Sequence, residues 1–176
     1  MEKGLIHIYH GDGKGKTTCA MGLSIRALGA GYRVIFAQFL KGGSTSELNI
    51  LRQLPNLEII RCEKDYNFTW LLKPEELEAL KADHIELFKM VLHKCQNTDE
   101  EILVVLDELC ATYELNLIDR EMVMGFLNDK PNYVEVVITG RNPAPELLET
   151  ADYISEIKKE KHPMDKGIMA RKGIEM

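Results

Sequence analysis

Short apolar runs alternate along the chain with segments in which apolar residues recur at helical spacing. The apolar, β-rich runs predict six strands, at Leu5–Tyr9, Arg33–Phe39, Leu57–Cys62, Ile102–Leu106, Tyr133–Ile138 and Tyr153–Ile157. Most of these runs are continuously apolar and do not alternate, which is typical of parallel strands covered on both faces. The pattern therefore predicts a buried, mainly parallel sheet.

Helical spacing dominates two of the connecting segments. The first predicted helix runs from about Lys16 to Leu28 and ends before Gly29. The longest covers Pro74 to Cys95, and its apolar face includes His84 at a three- to four-residue step. Helices that connect buried parallel strands lie on both faces of the sheet, so the sequence predicts an α/β architecture.

Length and composition indicate the number of domains and exclude several classes of partner and site. With 176 residues, 45% of them hydrophobic, the chain fits one domain spanning residues 1–176. A net charge of −6 gives no general attraction for nucleic acid or anionic lipid, and we expect neither as a partner. Four scattered cysteines without a C-x-x-C pair argue against a zinc site or a disulfide scaffold. Because the sequence also shows no signal peptide or membrane span, we expect a cytoplasmic protein.

A glycine-rich loop separates the first strand from the first helix, and it reads Gly11-Asp12-Gly13-Lys14-Gly15-Lys16-Thr17-Thr18. Glycines let successive backbone N–H groups point at phosphate oxygens, Lys16 would reach the outer phosphates, and the Thr17 hydroxyl would ligate magnesium. The loop departs from G-x-x-x-x-G-K-[ST], since three residues separate Gly11 from Gly15 and His10 stands at the first glycine position. An ordinary glycine-rich turn is the alternative, but the strand–loop–helix context favours a phosphate-binding loop.

An acidic pair follows the fourth strand. Asp107 and Glu108 come directly after Ile102–Leu106, as in a Walker B strand. One carboxylate would bind magnesium directly or through water, and the other would act on a nucleophile or on the metal's shell. An Asp-Glu pair after a strand can also simply begin a helix. Together with the loop, the pair predicts a P-loop NTPase-like three-layer sandwich with about six strands, which fixes a nucleoside triphosphate ligand but no reaction.

Further segments narrow the class of protein. In chain order they are the glycine loop, Gln38-Phe39-Leu40-Lys41-Gly42, Phe68-Thr69-Trp70, Leu106-Asp107-Glu108-Leu109, Thr139-Gly140-Arg141, Ala151-Asp152, Lys161-His162-Pro163, Gly167-Ile168 and Lys172-Gly173-Ile174-Glu175. Together they resemble the ATP:corrinoid adenosyltransferases of the CobA/BtuR type. The resemblance implies transfer of the 5′-deoxyadenosyl group of ATP to the cobalt of a reduced corrinoid, with release of triphosphate. It also implies a homodimer that uses Mg²⁺ or Mn²⁺, and an electron-donating flavoprotein is a candidate partner.

The resemblance also assigns roles to residues. Lys16 and Glu108 would be catalytic, the metal would lie near Thr17 and Glu108 with Asp107 as a second acidic candidate, and Phe68 and Trp70 would pack beneath the corrin ring. ATP would be bound by the loop and by a distant arginine, that is, by Gly11, Asp12, Gly13, Lys14, Gly15, Lys16, Thr17, Thr18 and Arg141.

Two departures from the family pattern stand out. The sequence starts only a few residues before the first strand, so we expect the stretch from Lys158 to Met176, or a partner subunit, to close the site. Arg171 stands where the family pattern has glutamine. Two other functions stay open from the sequence: a P-loop NTPase or kinase acting at the γ-phosphate, and a non-catalytic sensor of ATP or a corrinoid.

Overall fold

The computed structural model describes residues 3–43, 45–62, 64, 66, 69–96 and 100–174. It contains six strands, named β1 Ile6–His10, β2 Arg33–Gln38, β3 Leu57–Arg61, β4 Ile102–Asp107, β5 Val134–Gly140 and β6 Tyr153–Glu156. They form one parallel sheet in the order β3-β2-β4-β5-β1-β6. The predicted sheet is confirmed, with strand ends shifted by one or two residues.

Among these described residues, six α-helices accompany the sheet: α1 Lys16–Gly29, α2 Leu48–Leu51, α3 Pro74–Gln96, α4 Leu109–Glu114, α5 Arg120–Asp129 and α6 Pro145–Thr150. Helices α1 and α3 agree with the two predicted from periodicity. The other helices are short, and their apolar positions do not repeat often enough to give a periodic signal. Within the described ranges, none of the helices is long and apolar enough to cross a membrane.

Side chains on the two faces of the sheet enter two separate cores. On β2, Val34 and Phe36 pack with Ala20 and Ala27 of α1. The intervening residues Ile35 and Ala37 belong to the larger core that includes buried residues of α3, α4, α5 and α6. Because successive strand residues point to opposite faces, one apolar run supplies both cores. The arrangement confirms the three-layer sandwich.

Strand β6 differs from the other strands. All four of its residues are exposed, whereas continuous apolar strands were expected to be covered on both faces. It pairs with β1 at the edge of the sheet, and neither buried core contains a β6 residue. Its role is to lead the chain back to the glycine loop, where Ile157 N donates to His10 O at 2.7 Å and Gly13 N donates to Ile157 O at 2.8 Å.

The returning chain passes so close to Gly11 and Gly13 that neither position has room for a side chain. A Cβ on Gly13 would lie 2.7 Å from Ile157 O and 2.8 Å from the Lys158 carbonyl carbon. A Cβ on Gly11, whose φ is 111°, would also collide with Ile157 O. These two glycines are therefore required by backbone packing, in addition to any contact with a ligand.

We expect Gly13→Ala to lower the free energy of unfolding by about 1–3 kcal/mol, because backbone atoms must move to admit the methyl group. Gly22→Ala is the matched control on α1, where a Cβ would meet nothing within 4 Å among the described residues. In a helix interior, this change should stabilise the protein by about 0.5–1 kcal/mol. Urea unfolding followed by circular dichroism measures both, and equal stability of the two variants would contradict the close approach.

Candidate active site

A cavity of about 730 Å³ lies at the carboxyl ends of the parallel strands. Residues 12–18 of the loop line it, together with Lys41, Glu47, Glu108, Arg141, His162 and the pair 173–174. Its volume falls in the range of small-molecule sites, and its position is the usual one for ligands of parallel α/β sheets. Gly11, which the sequence assigned to ATP with the rest of the loop, is not among the described residues that line the cavity. It lies against the backbone of Ile157.

Four cationic side chains converge on this cavity: Lys14, Lys16, Lys41 and Arg141. Three carboxylates also line it, those of Asp12, Glu47 and Glu108. In a chain with a net charge of −6, a concentration of cations in one concave site favours a small polyanion over a large anionic surface.

The carboxylate of Asp107 lies behind the cavity and is fully buried. Its Oδ1 accepts hydrogen bonds from Thr17 Oγ1 at 2.8 Å and from Thr139 Oγ1 at 2.7 Å. Its Oδ2 accepts from Lys41 Nζ at 2.6 Å and, more weakly, from Gln38 Nε2 at 3.4 Å. These four donors, one of them a cation, compensate a buried charge that would otherwise be strongly unfavourable.

The ammonium of Lys41 also lies 3.2 Å from Thr17 Oγ1. It therefore contacts both side chains, the Thr17 hydroxyl and the Asp107 carboxylate, that the sequence assigns to a metal. A third oxygen, Gln38 Oε1, is buried without a hydrogen-bond partner among the described residues. Hydroxyl, carboxylate and amide oxygens are ligands that Mg²⁺ and Mn²⁺ accept, and a cation already lies against two of them. The residues present fit such an ion.

Glu108 occupies the position between β4 and α4 and has a left-handed φ of 64°. Its backbone N–H donates to Thr139 Oγ1 at 3.0 Å, which fixes the turn. Burial raises the pKa of the Glu108 carboxyl above its usual value, and the neighbouring charge of Asp107 adds to the rise. Lys41, Lys16 and Arg141 oppose that shift. The structure thus gives the two acids different positions, with Asp107 behind the cavity and Glu108 lining it.

Lys16 is engaged by the loop itself. Its Nζ donates to Gly13 O at 2.8 Å, and burial lowers its pKa. The backbone N–H of Gly13 bonds to Ile157 O, although the sequence predicted that the loop amides point at phosphate. This expectation is wrong for Gly13, because the chain returning from β6 uses that donor.

The C-terminal segment covers one side of the loop. Lys159 N donates to Asp12 Oδ1 at 3.0 Å, and this bond lowers the pKa of Asp12. Farther along, His162 and Ile174 line the cavity. The sequence pattern alone left this stretch as either a tail or a cover, and the contacts agree with the second interpretation.

Of the two aromatic residues assigned to the corrinoid, the structure describes only Trp70, and Trp70 does not line this cavity. Trp70 lies in the short 3₁₀ helix Thr69–Leu71 with 75% of its surface exposed, and it is not among the described lining residues. Phe68 lies outside the described residues. The corrinoid assignment therefore stays a prediction.

Sequence analysis gave no role to two side chains that contact Asp107. Thr139 is the sixth residue of β5, and Gln38 is the last residue of β2. Both lie at carboxyl ends of strands beside β4, and Gln38 is in register with Asp107. Polar residues at these ends were the available signal, but strand order was needed to connect them with the acid.

Comparison with known proteins identifies the family. The family model described as ATP:corrinoid adenosyltransferase BtuR/CobO/CobP matches residues 2–176. The chain belongs to this family of transferases. It is 34% identical over 175 residues to the corrinoid adenosyltransferase of Pseudomonas aeruginosa, covering 99% of this chain and 84% of that protein. Corrinoid adenosyltransferase CobA of Salmonella typhimurium is 34% identical over 178 residues, with 99% and 86% covered.

A solved structure supports the fold of this family member. The cytoplasmic domain of EssC superposes with a TM-score of 0.57 at 19% identity, and the match covers 96% of this chain but 34% of that one. At this identity the likeness concerns the fold alone, which is P-loop NTPase-like as predicted.

We expect Thr139→Val in this adenosyltransferase-family chain to lower the free energy of unfolding by about 1–3 kcal/mol, because Asp107 loses a donor and Glu108 N–H loses its acceptor. Thr139→Ser retains the hydroxyl and should remain closer to the parent protein. Urea unfolding of both variants gives the comparison. If valine were tolerated as well as serine, the hydroxyl would not be supporting the acidic pair.

Proposed function

We propose that the protein transfers the 5′-deoxyadenosyl group of ATP to the cobalt of a reduced corrinoid, cob(I)alamin, and so forms adenosylcobalamin and triphosphate. The observation that carries the proposal is the convergence of Lys14, Lys16, Lys41 and Arg141 on one cavity in a chain of this family. The names of the similar proteins support a corrinoid as acceptor.

The reaction explains why cations matter more here than a general base. A bond forms between Co(I) and the C5′ carbon of ATP, the cobalt donates the electron pair and becomes Co(III), and the C5′–O bond breaks toward the triphosphate. Co(I) is already a strong nucleophile, whereas the leaving group gathers charge that must be stabilised. Lys16 is the proposed catalytic cation, and it would exchange Gly13 O for a phosphate oxygen.

Thr17, Asp107 and Glu108 are the proposed holders of Mg²⁺ or Mn²⁺. The ion would neutralise phosphate charge when bound. Lys41 now lies against Thr17 and Asp107, so it would turn to the phosphates and add a further cation there. Glu108 is the second proposed catalytic residue, because it lines the cavity beside this pair.

Phe68 and Trp70 are the proposed apolar floor beneath the corrin ring. An apolar surface in place of the lower axial ligand would favour the lower-coordinate, more easily reduced cobalt. The high exposure of Trp70 supports a role in contacting a ligand or a second subunit. A homodimer, a flavoprotein electron donor and a cytoplasmic location complete the proposal.

A product assay tests the reaction. Protein, Mg-ATP and chemically reduced cobalamin should yield light-sensitive adenosylcobalamin and triphosphate, and Lys16→Ala should reduce the rate by at least about a hundredfold because the leaving group loses a cation. Lys89→Ala is the control, since Lys89 is paired with Glu86 on the surface of α3. ADP and phosphate as products would instead indicate γ-phosphoryl chemistry. Tight binding without turnover would indicate a sensor.

The single tryptophan permits a separate test of the corrin site. Corrinoid binding should quench Trp70 fluorescence, and Trp70→Ala should slow adenosylation from Co(II) more than from pre-formed Co(I). Leu71→Ala, at an exposed neighbouring position, is the control. Equal losses from Co(II) and Co(I) would contradict a role for Trp70 in the reduction step.

A further inference from the structure

His84 is a fully buried residue of α3 whose two ring nitrogens both contact backbone. Leu40 N–H donates to Nε2 at 3.3 Å, and Nδ1 lies 3.0 Å from Leu117 O. Since Leu40 supplies a hydrogen, Nε2 must be the acceptor and Nδ1 must carry the proton toward Leu117 O. Burial lowers the pKa of His84, which agrees with the neutral ring that these contacts require.

The contact with Leu40 falls at an unusual point of the backbone. Leu40 has a φ of 56°, in the left-handed region that non-glycine residues seldom adopt. On one side of it, Phe39 N donates to Asp107 O at 3.0 Å. On the other, Arg61 Nη2 donates to Lys41 O at 2.8 Å. Between these two anchors, His84 accepts the N–H of Leu40 itself.

The hydrogen bond from Leu40 to His84 fixes the direction in which the backbone continues toward Lys41. Leu40 immediately precedes Lys41, whose ammonium must reach both Asp107 Oδ2 and Thr17 Oγ1. A change of Leu40 to an ordinary right-handed or extended conformation would redirect the chain that follows. Lys41 would then have to reach Thr17 and Asp107 from a different backbone position.

We propose that His84 is a positioning residue, which holds Leu40 in its left-handed conformation and thereby aims Lys41 at the Thr17–Asp107 pair. The link from His84 to Lys41 follows from the backbone contacts. Its effect on nucleotide affinity rests on the proposed function.

Two substitutions separate this role from simple core packing. His84→Asn retains an amide N–H close to the Nδ1 position and loses the acceptor for Leu40. His84→Gln extends an amide oxygen toward the Nε2 position and loses the bond to Leu117. Both remove the ring that packs edge-on against Phe39 at 5.5 Å, so their general loss of packing is matched.

Amide hydrogen exchange of Leu40 reads the contact without any ligand. Protection of this amide should fall by about tenfold or more in His84→Asn, the factor expected for one lost hydrogen bond, and should be largely retained in His84→Gln. Unchanged protection in His84→Asn would overturn the proposal. Should neither variant fold, nitrogen NMR of the parent protein decides: the neutral Nδ1–H tautomer is expected, and the Nε2–H tautomer would overturn it.

A double-mutant cycle with Lys41→Met then tests whether His84 acts through Lys41. Calorimetric affinity for Mg-ATP should fall by about tenfold in His84→Asn alone, yet hardly change when the same substitution is made in Lys41→Met. Additive losses would overturn the proposal. A parent protein that binds no nucleotide would refute the proposed function, while exchange at Leu40 would still decide the role of His84.

Discussion

The buried carboxylate of Asp107 determines how the surrounding segments must meet. A fully desolvated charge is tolerated only when hydrogen bonds and an opposite charge compensate it. Thr17 comes from the start of α1, Gln38 and Lys41 from the end of β2 and the segment after it, and Thr139 from β5. Since β4 lies between β2 and β5, strand order places donors on both sides of the acid. The same compensation that stabilises the fold therefore assembles the cation-lined edge of the sheet.

The chain that follows β6 places a second constraint on the glycine loop. Residues returning from β6 take the Gly13 N–H and the space above Gly11 and Gly13, and Lys159 N–H bonds to Asp12. Glycine at positions 11 and 13 is therefore required by the covering segment as well as by any ligand. A side chain at either position would collide with that segment even without a ligand. The loop and the segment that covers it are packed together, so an exposed edge strand contributes to the shape of the site.

The sequence predicted the sheet well because buried parallel strands leave long apolar runs, and α3 because its face repeats over many turns. The loop, the acidic pair and Arg141 were predicted to share a site. Residues 12–18, Glu108 and Arg141 line one cavity, and Asp107 lies buried behind it. The roles of Thr139 and Gln38 could not be predicted, since their contacts depend on which strands are neighbours. The role of His84 could not be predicted either. In the sequence it occupies an apolar helical position like any core residue, and only the structure shows that Leu40 N–H donates to it.

Lys16 and Lys41, two of the four cations that line the site, have partners within the protein. Lys16 bonds to Gly13 O, and Lys41 bonds to Thr17 and Asp107. Under the proposed function, binding of a polyphosphate would be an exchange of partners, whose free energy is a difference between two sets of interactions and not the sum of the new ones. A metal ion held by Thr17 and Asp107 would compete with the Lys41 ammonium for the same two oxygens. Under the proposed function, arrival of the metal and movement of Lys41 toward phosphate are therefore coupled, and the backbone at Leu40 fixes where that movement begins.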